Sequence, residues 1–178
     1  ELGGVSADRL EDLVSTSSRG PAADGRVKPD IVAPGGYITG GGAGTGASTF
    51  GFVAGTSNNI LFSNGTSHAA PQVAGAAALF TQAWKESNGG ANPSPALIKA
   101  AILNTGQEMT GANVGTALPN GNEGWGRINM RYMLRAGVPI KHFNQLATLP
   151  SPGANSNIIG VVGDPTKPIR VALVWTDP

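Results

Sequence analysis

The 178-residue chain has no cysteine, only two histidines and few charged side chains. Without cysteine there is no disulfide framework and no thiolate metal site, and nothing follows about the redox compartment. Charged residues make up 13% of the chain and the formal net charge is +1. A soluble domain usually carries about 25% charge. No basic run is present, so nucleic-acid binding has no electrostatic footprint and no nucleic-acid partner is expected. No apolar run reaches the roughly 18 residues of a membrane-spanning helix, so no membrane span is expected. No targeting segment is legible at Glu1, which is not an initiator methionine; the chain is expected to be an excised piece.

What is present is a globular composition, 40% apolar, with 27 glycines and 13 prolines. The length suits one domain with a core, or one domain plus a fragment. Ser15 to Pro21 reads as a loop, Asp24-Gly25 as a turn, and Ile31-Val32-Ala33 as a short buried strand stopped by Pro34-Gly35. Gly40 to Ser48 reads as a small-residue loop, with short strands at Phe52–Ala54 and Ile60–Phe62. Helical spacing of Val73, Ala76, Ala77, Phe80 and Trp84 predicts a helix over about 67–85, ended by Asn88-Gly89-Gly90. Ser94 as N-cap and Pro95 in the first turn predict a second helix, ending at Asn104-Thr105-Gly106. A third is predicted over about 129–135, and strands over 158–162 and 169–175. The expected organisation is a first domain over 1–138, a linker over 139–153, and the start of a β domain over 154–178.

The chemistry points to Asn64-Gly65-Thr66-Ser67-His68-Ala69-Ala70-Pro71-Gln72-Val73-Ala74-Gly75. Here a flexible Gly-Thr step carries a serine into a run of small apolar residues, so Ser67 falls at or beside a helix N-terminus. Unpaired N–H groups and partial positive charge at that end stabilise an oxyanion formed next to the serine. Capping alone would explain an isolated serine at this place. The close succession of alanines from Ala69 to Ala78 adds a helix able to approach neighbouring backbone closely.

Gly65-Thr66-Ser67-His68-Ala69-Ala70-Pro71-Gln72-Val73-Ala74-Gly75 closely resembles the active-serine signature of subtilisin-like serine proteases, the subtilases. Ser17 to Pro21 followed by Lys28 to Gly35 resembles the segment upstream of that serine. Pro95 to Thr105 resembles the helix after it, and Gly124-Trp125-Gly126-Arg127-Ile128-Asn129 a late element of the family. The four occur in the family's order and cover about residues 5–137. The resemblance implies an α/β, subtilisin-like three-layer fold with a parallel sheet, partial here. Ser67 is then the acylating nucleophile, its own N–H half of the oxyanion hole, and polypeptides the substrates. No cofactor is expected for the chemistry. Arg170 to Pro178 looks like the opening of an antiparallel β-sandwich domain appended to some secreted subtilases, which implies a secreted protein and leaves room for structural calcium, with Asp177 as a candidate ligand.

Subtilases order their triad Asp, His, Ser. No histidine precedes Ser67, and the family's Asp, His and oxyanion Asn elements are missing. The chain is therefore expected to be the C-terminal half of a catalytic domain, inactive until the N-terminal half joins it, because a serine without a base stays weakly nucleophilic. His68 projects about 100° away from Ser67 on a helix and is read as a residue that packs or supports the site from behind, not one that takes the proton. His142 is read as a surface residue, Asp30 as a turn residue, and Asn120 to Glu123 as a solvated loop. Two alternatives stay open: a non-catalytic pseudoprotease or binding scaffold, and an α/β-hydrolase esterase. The second would use Glu86, Glu108 or Glu123 with His142, but its elbow motif needs glycine where Ala69 stands.

Overall fold

The computed structural model describes residues 9–42, 59–134, 140–144, 159–166 and 168–175. Its elements, in chain order, are β1 (Ile38–Gly41), β2 (Ile60–Ser63), α1 (Thr66–Ser87), α2 (Pro95–Asn104) and α3 (Met130–Met133). Two compact units divide the chain: Glu1–Ala76 with Gly106–Ile128, and Ala77–Thr105 with Asn129–Pro178.

In the first unit β1 and β2 pair antiparallel, Ile38 opposite Ser63 and Gly41 opposite Ile60. Two residues expected in a loop, Gly40 and Gly41, thus lie in a ladder, where Leu61 and Ile60 supply the backbone partners that glycine lacks the propensity to recruit. The expected strand over Phe52–Ala54 lies outside the described residues. The expected parallel sheet is reduced, among the described residues, to one isolated parallel bridge between Val32 and Arg127. Val32 N–H donates to Gly126 O at 3.0 Å and Ile128 N–H to Val32 O at 2.9 Å. The core beneath is Leu13, Val32 and Met109, with Val114 packed against them.

Residues 11–13 are stitched to 111–113. Leu13 N–H donates to Ala112 O at 2.9 Å, Ala112 N–H to an Asp12 carboxylate oxygen at 2.8 Å, and Asn113 Nδ2 to Leu13 O at 3.1 Å. Arg127 adds an ion pair to Glu11 at 2.9 Å.

The solvated-loop reading of Asn120 to Glu123 is corrected. Glu123 is fully buried. Its carboxylate accepts from Met109 N–H (3.1 Å), Gly115 N–H (3.3 Å) and Asn120 Nδ2 (3.2 Å). Three donors converge on it because an ion taken out of water must regain its solvation from hydrogen bonds. Next to it, Gly124 has φ +62, and a Cβ there would land on Pro29 O.

α1, which enters the second unit at Ala77, and α2 follow the expected pattern closely. Ser94 Oγ caps α2 by accepting from Leu97 N–H at 3.1 Å, Pro95 opens it, and Leu97, Ala101 and Ile102 are buried. α3 is only four residues, capped by Asn129 through Tyr132 N–H. His142, read as a surface residue, is half-buried instead. Its ring stands edge-on to Phe80 at 5.3 Å and to Trp84 at 6.2 Å. An imidazole is flat and amphipathic, so two aromatic side chains one helical turn apart accommodate it. Within the expected strands 158–162 and 169–175, the described residues form no ladder. Val161, Val171 and Leu173 are exposed. Apolar alternation alone does not make a strand; a partner edge must satisfy its backbone.

Glu123→Ala should leave the buried Met109 N–H and the part-buried Gly115 N–H without this acceptor, while Asn120 Nδ2 keeps Ala117 O, and should destabilise the chain by about 2 kcal/mol, read as a lower denaturation midpoint. Glu123→Gln, which keeps a carbonyl acceptor, should lose less.

Candidate active site

β2 runs into α1 through only two residues, Asn64 and Gly65. Both are tied to the loop Pro34 to Tyr37. Gly65 N–H donates to Gly35 O at 2.8 Å, and Asn64 Oδ1 accepts from Tyr37 N–H. From the helix side, Gln72 Nε2 donates to Pro34 O at 2.6 Å. The fit requires glycine at 35: a Cβ there would lie 2.8 Å from Gly65 O. Gly65 has φ +149, the region that L side chains avoid.

This junction puts Ser67 on the second residue of α1, exposed. Among the described residues neither its hydroxyl nor its N–H has a hydrogen-bond partner. The first-turn amides of a helix have no intrahelical acceptor, and the helix dipole gives that end partial positive charge. The hydroxyl therefore stands beside its own free N–H, while the next amide, His68 N–H, is taken by Gly65 O at 3.0 Å. Pro71 falls at the sixth position of α1, where its acceptor would be Ser67 O.

No histidine or carboxylate among the described residues bonds to Ser67. His68, as expected from the helical angle, turns away from it. Its Nε2 meets Ser63 Oγ at 2.8 Å. Asp30 forms an ion pair with Lys28. Asp177 lies outside the described residues, and among the described ones no group of three or more His, Cys, Asp or Glu could hold a metal ion.

Alongside the junction lies a cavity of about 630 Å3, lined by Ile31 to Gly36 on one side and by Gly65, Thr66, Ala69, Ala70 and Val73 on another. Asp30 O and both backbone groups of Val32 point to residues 125–128. In an extended segment successive backbone groups alternate sides. The N–H and C=O of Ile31 and Ala33 therefore face the opposite edge, unpaired among the described residues. Sequence reasoning found the serine and the Lys28 to Gly35 segment separately. It missed the roles of Gln72, Tyr37 and the open edge, whose signals are distances across the fold.

The sequence model described as "Subtilase family" matches residues 3–126. This chain belongs to the subtilase family. The "Serine protease/ABC transporter B family protein tagD" of Dictyostelium discoideum is 33% identical over 162 residues, covering 73% of this chain and 9% of that protein. The tagA protein of the same name and organism is 28% identical over 184 residues, 91% of this chain and 10% of that protein. Among solved structures the Clostridium perfringens CspB protease matches with a TM-score of 0.52 and 26% identity, over 75% of this chain and 26% of that one. The chain thus spans no more than 10% of the length of these two Dictyostelium relatives. Their family and the protease neighbour support an α/β protease fold.

Gly35→Ala should push Gly65 O away and loosen the junction. Hydrogen exchange at the Gly65 amide, now bonded to Gly35 O, should quicken by about tenfold or more.

Proposed function

We propose that this chain is part of the catalytic domain of a subtilisin-like serine endopeptidase, with Ser67 as nucleophile. The observation that carries the reading is the exposed, unengaged hydroxyl in the first turn of α1, beside its own free N–H, on a junction held by Pro34 to Tyr37. In the reaction Ser67 Oγ bonds to the carbonyl carbon of a peptide and its proton passes to a base. The carbonyl oxygen becomes an oxyanion that the Ser67 N–H and the helix end stabilise. The C–N bond then breaks, the amine leaves with a proton, and water hydrolyses the acyl-enzyme.

The base comes from outside the described residues, and we assign it to a longer protein of which this chain is one portion. The open edge at Ile31 and Ala33, facing an apolar-lined cavity, supports that assignment, since unpaired backbone beside a cavity accepts a further extended segment. On this reading the isolated chain is inactive, polypeptides are the substrates of the whole protein, and the parent is secreted. Family membership removes the ground for an α/β-hydrolase esterase.

A fluorophosphonate probe offered to the full-length protein should label Ser67, and Ser67→Ala should abolish labelling and lower peptide hydrolysis by at least about a thousandfold. The 178-residue chain alone should stay unlabelled. Full-length protein that is folded yet inert to the probe would instead be a non-catalytic scaffold.

A further inference from the structure

A second serine lies close by in sequence. Ser63 closes β2, His68 is the third residue of α1, and His68 Nε2 stands 2.8 Å from Ser63 Oγ. Both residues are half-buried. The bond spans the two-residue link Asn64-Gly65, so it ties the end of the strand directly to the first turn of the helix. His68 N–H also donates to Gly65 O at 3.0 Å. The other ties at this junction, from Gly35, Tyr37 and Gln72, all hold it to the Pro34 to Tyr37 loop. The Ser63–His68 bond differs in joining β2 to α1.

We propose that the Ser63–His68 hydrogen bond is a positioning clamp for Ser67, a role that rests on the nucleophile reading above. Ser67 is the residue immediately before the ring that is held. The first turn is the part of a helix with fewest internal bonds, and Gly65 ahead of it has the freest backbone in the link. Fixing the His68 side chain against the strand removes the rotation that would otherwise swing the Ser67 hydroxyl about the start of the helix. Orientation of a nucleophile affects turnover far more than ground-state binding when the reacting atoms must meet within tenths of an ångström. His68 therefore acts through geometry and takes no proton from Ser67.

The test uses the full-length protein, with peptide turnover and the rate of fluorophosphonate labelling measured for Ser63→Ala, His68→Ala, the double variant and Ser63→Thr, and a thermal midpoint recorded for each. Ser63→Ala and His68→Ala should each lower kcat and the labelling rate by about tenfold with KM little changed. The double variant should be no slower than either single, because both break one bond. Ser63→Thr, which keeps the hydroxyl, should restore the rate; if His68→Ala does not fold, this pair at position 63 decides. Rates within about twofold of the parent in the single variants would overturn the clamp, as would multiplying effects in the double variant. Mapping of the probe to Ser63 would overturn it too, by making His68 a base for the wrong serine. Persistent labelling in Ser67→Ala with the label elsewhere sinks the nucleophile reading itself, whereas loss of labelling in Ser67→Ala with unchanged Ser63 and His68 variants sinks the clamp alone.

Discussion

The candidate site depends on one constraint: a strand must become a helix within two residues while both stay pinned to a third segment. Asn64 and Gly65 make that turn, and Gly35, Tyr37 and Pro34 hold it. Close approach of backbone to backbone is what glycine permits at 35 and 65, and side-chain amides of Asn64 and Gln72 supply the bonds that regular structure does not. A helix begun in this way leaves the Ser67 amide in the open, while His68 N–H turns back to Gly65 O. That open amide is the electrostatic resource a serine nucleophile uses, and here it comes from the backbone.

Among the described residues of the first unit, polar links between segments far apart in the chain surround a small apolar cluster. That cluster holds Leu13, Val32 and Met109, with Val114 against it. Around it, residues 11–13 and 111–113 exchange hydrogen bonds, Glu11 pairs with Arg127, and the buried Glu123 gathers donors from Met109, Gly115 and Asn120. Such a network is strong only when complete, since each buried donor left over carries a desolvation penalty. The open edge at Ile31 and Ala33 is incomplete in that sense, and both residues line the cavity of about 630 Å3.

The helices were the most legible part. α1 and α2 start at the residues that propensity marks, Thr66-Ser67 after Gly65 and Pro95 after Ser94, because capping and proline placement are local chemistry. The exposed position of Ser67 follows from the same local rule. The strands were least legible. Ile31 to Ala33 shows only a bridge, and the apolar alternation of 169–175 yields no ladder in the described residues, since pairing needs an edge that sequence does not specify. Glu123 and His142 were misread for a related reason. A carboxylate in an Asn-Gly-Asn-Glu stretch looks solvated until the amides of Met109 and Gly115 meet it from outside that stretch, and a histidine between Lys141 and Phe143 looks exposed until Phe80 and Trp84 receive it.

The sequence by itself determined the family, the helix that carries Ser67 and the direction its backbone presents to that serine, because these rest on residue type and spacing within a few turns. Tertiary structure alone decided that Pro34 to Tyr37 grips the turn before the helix, that His68 reaches Ser63 rather than Ser67, and that Glu123 is buried. Each of those is a contact across the fold, set by which backbone groups are left to satisfy once the chain has packed.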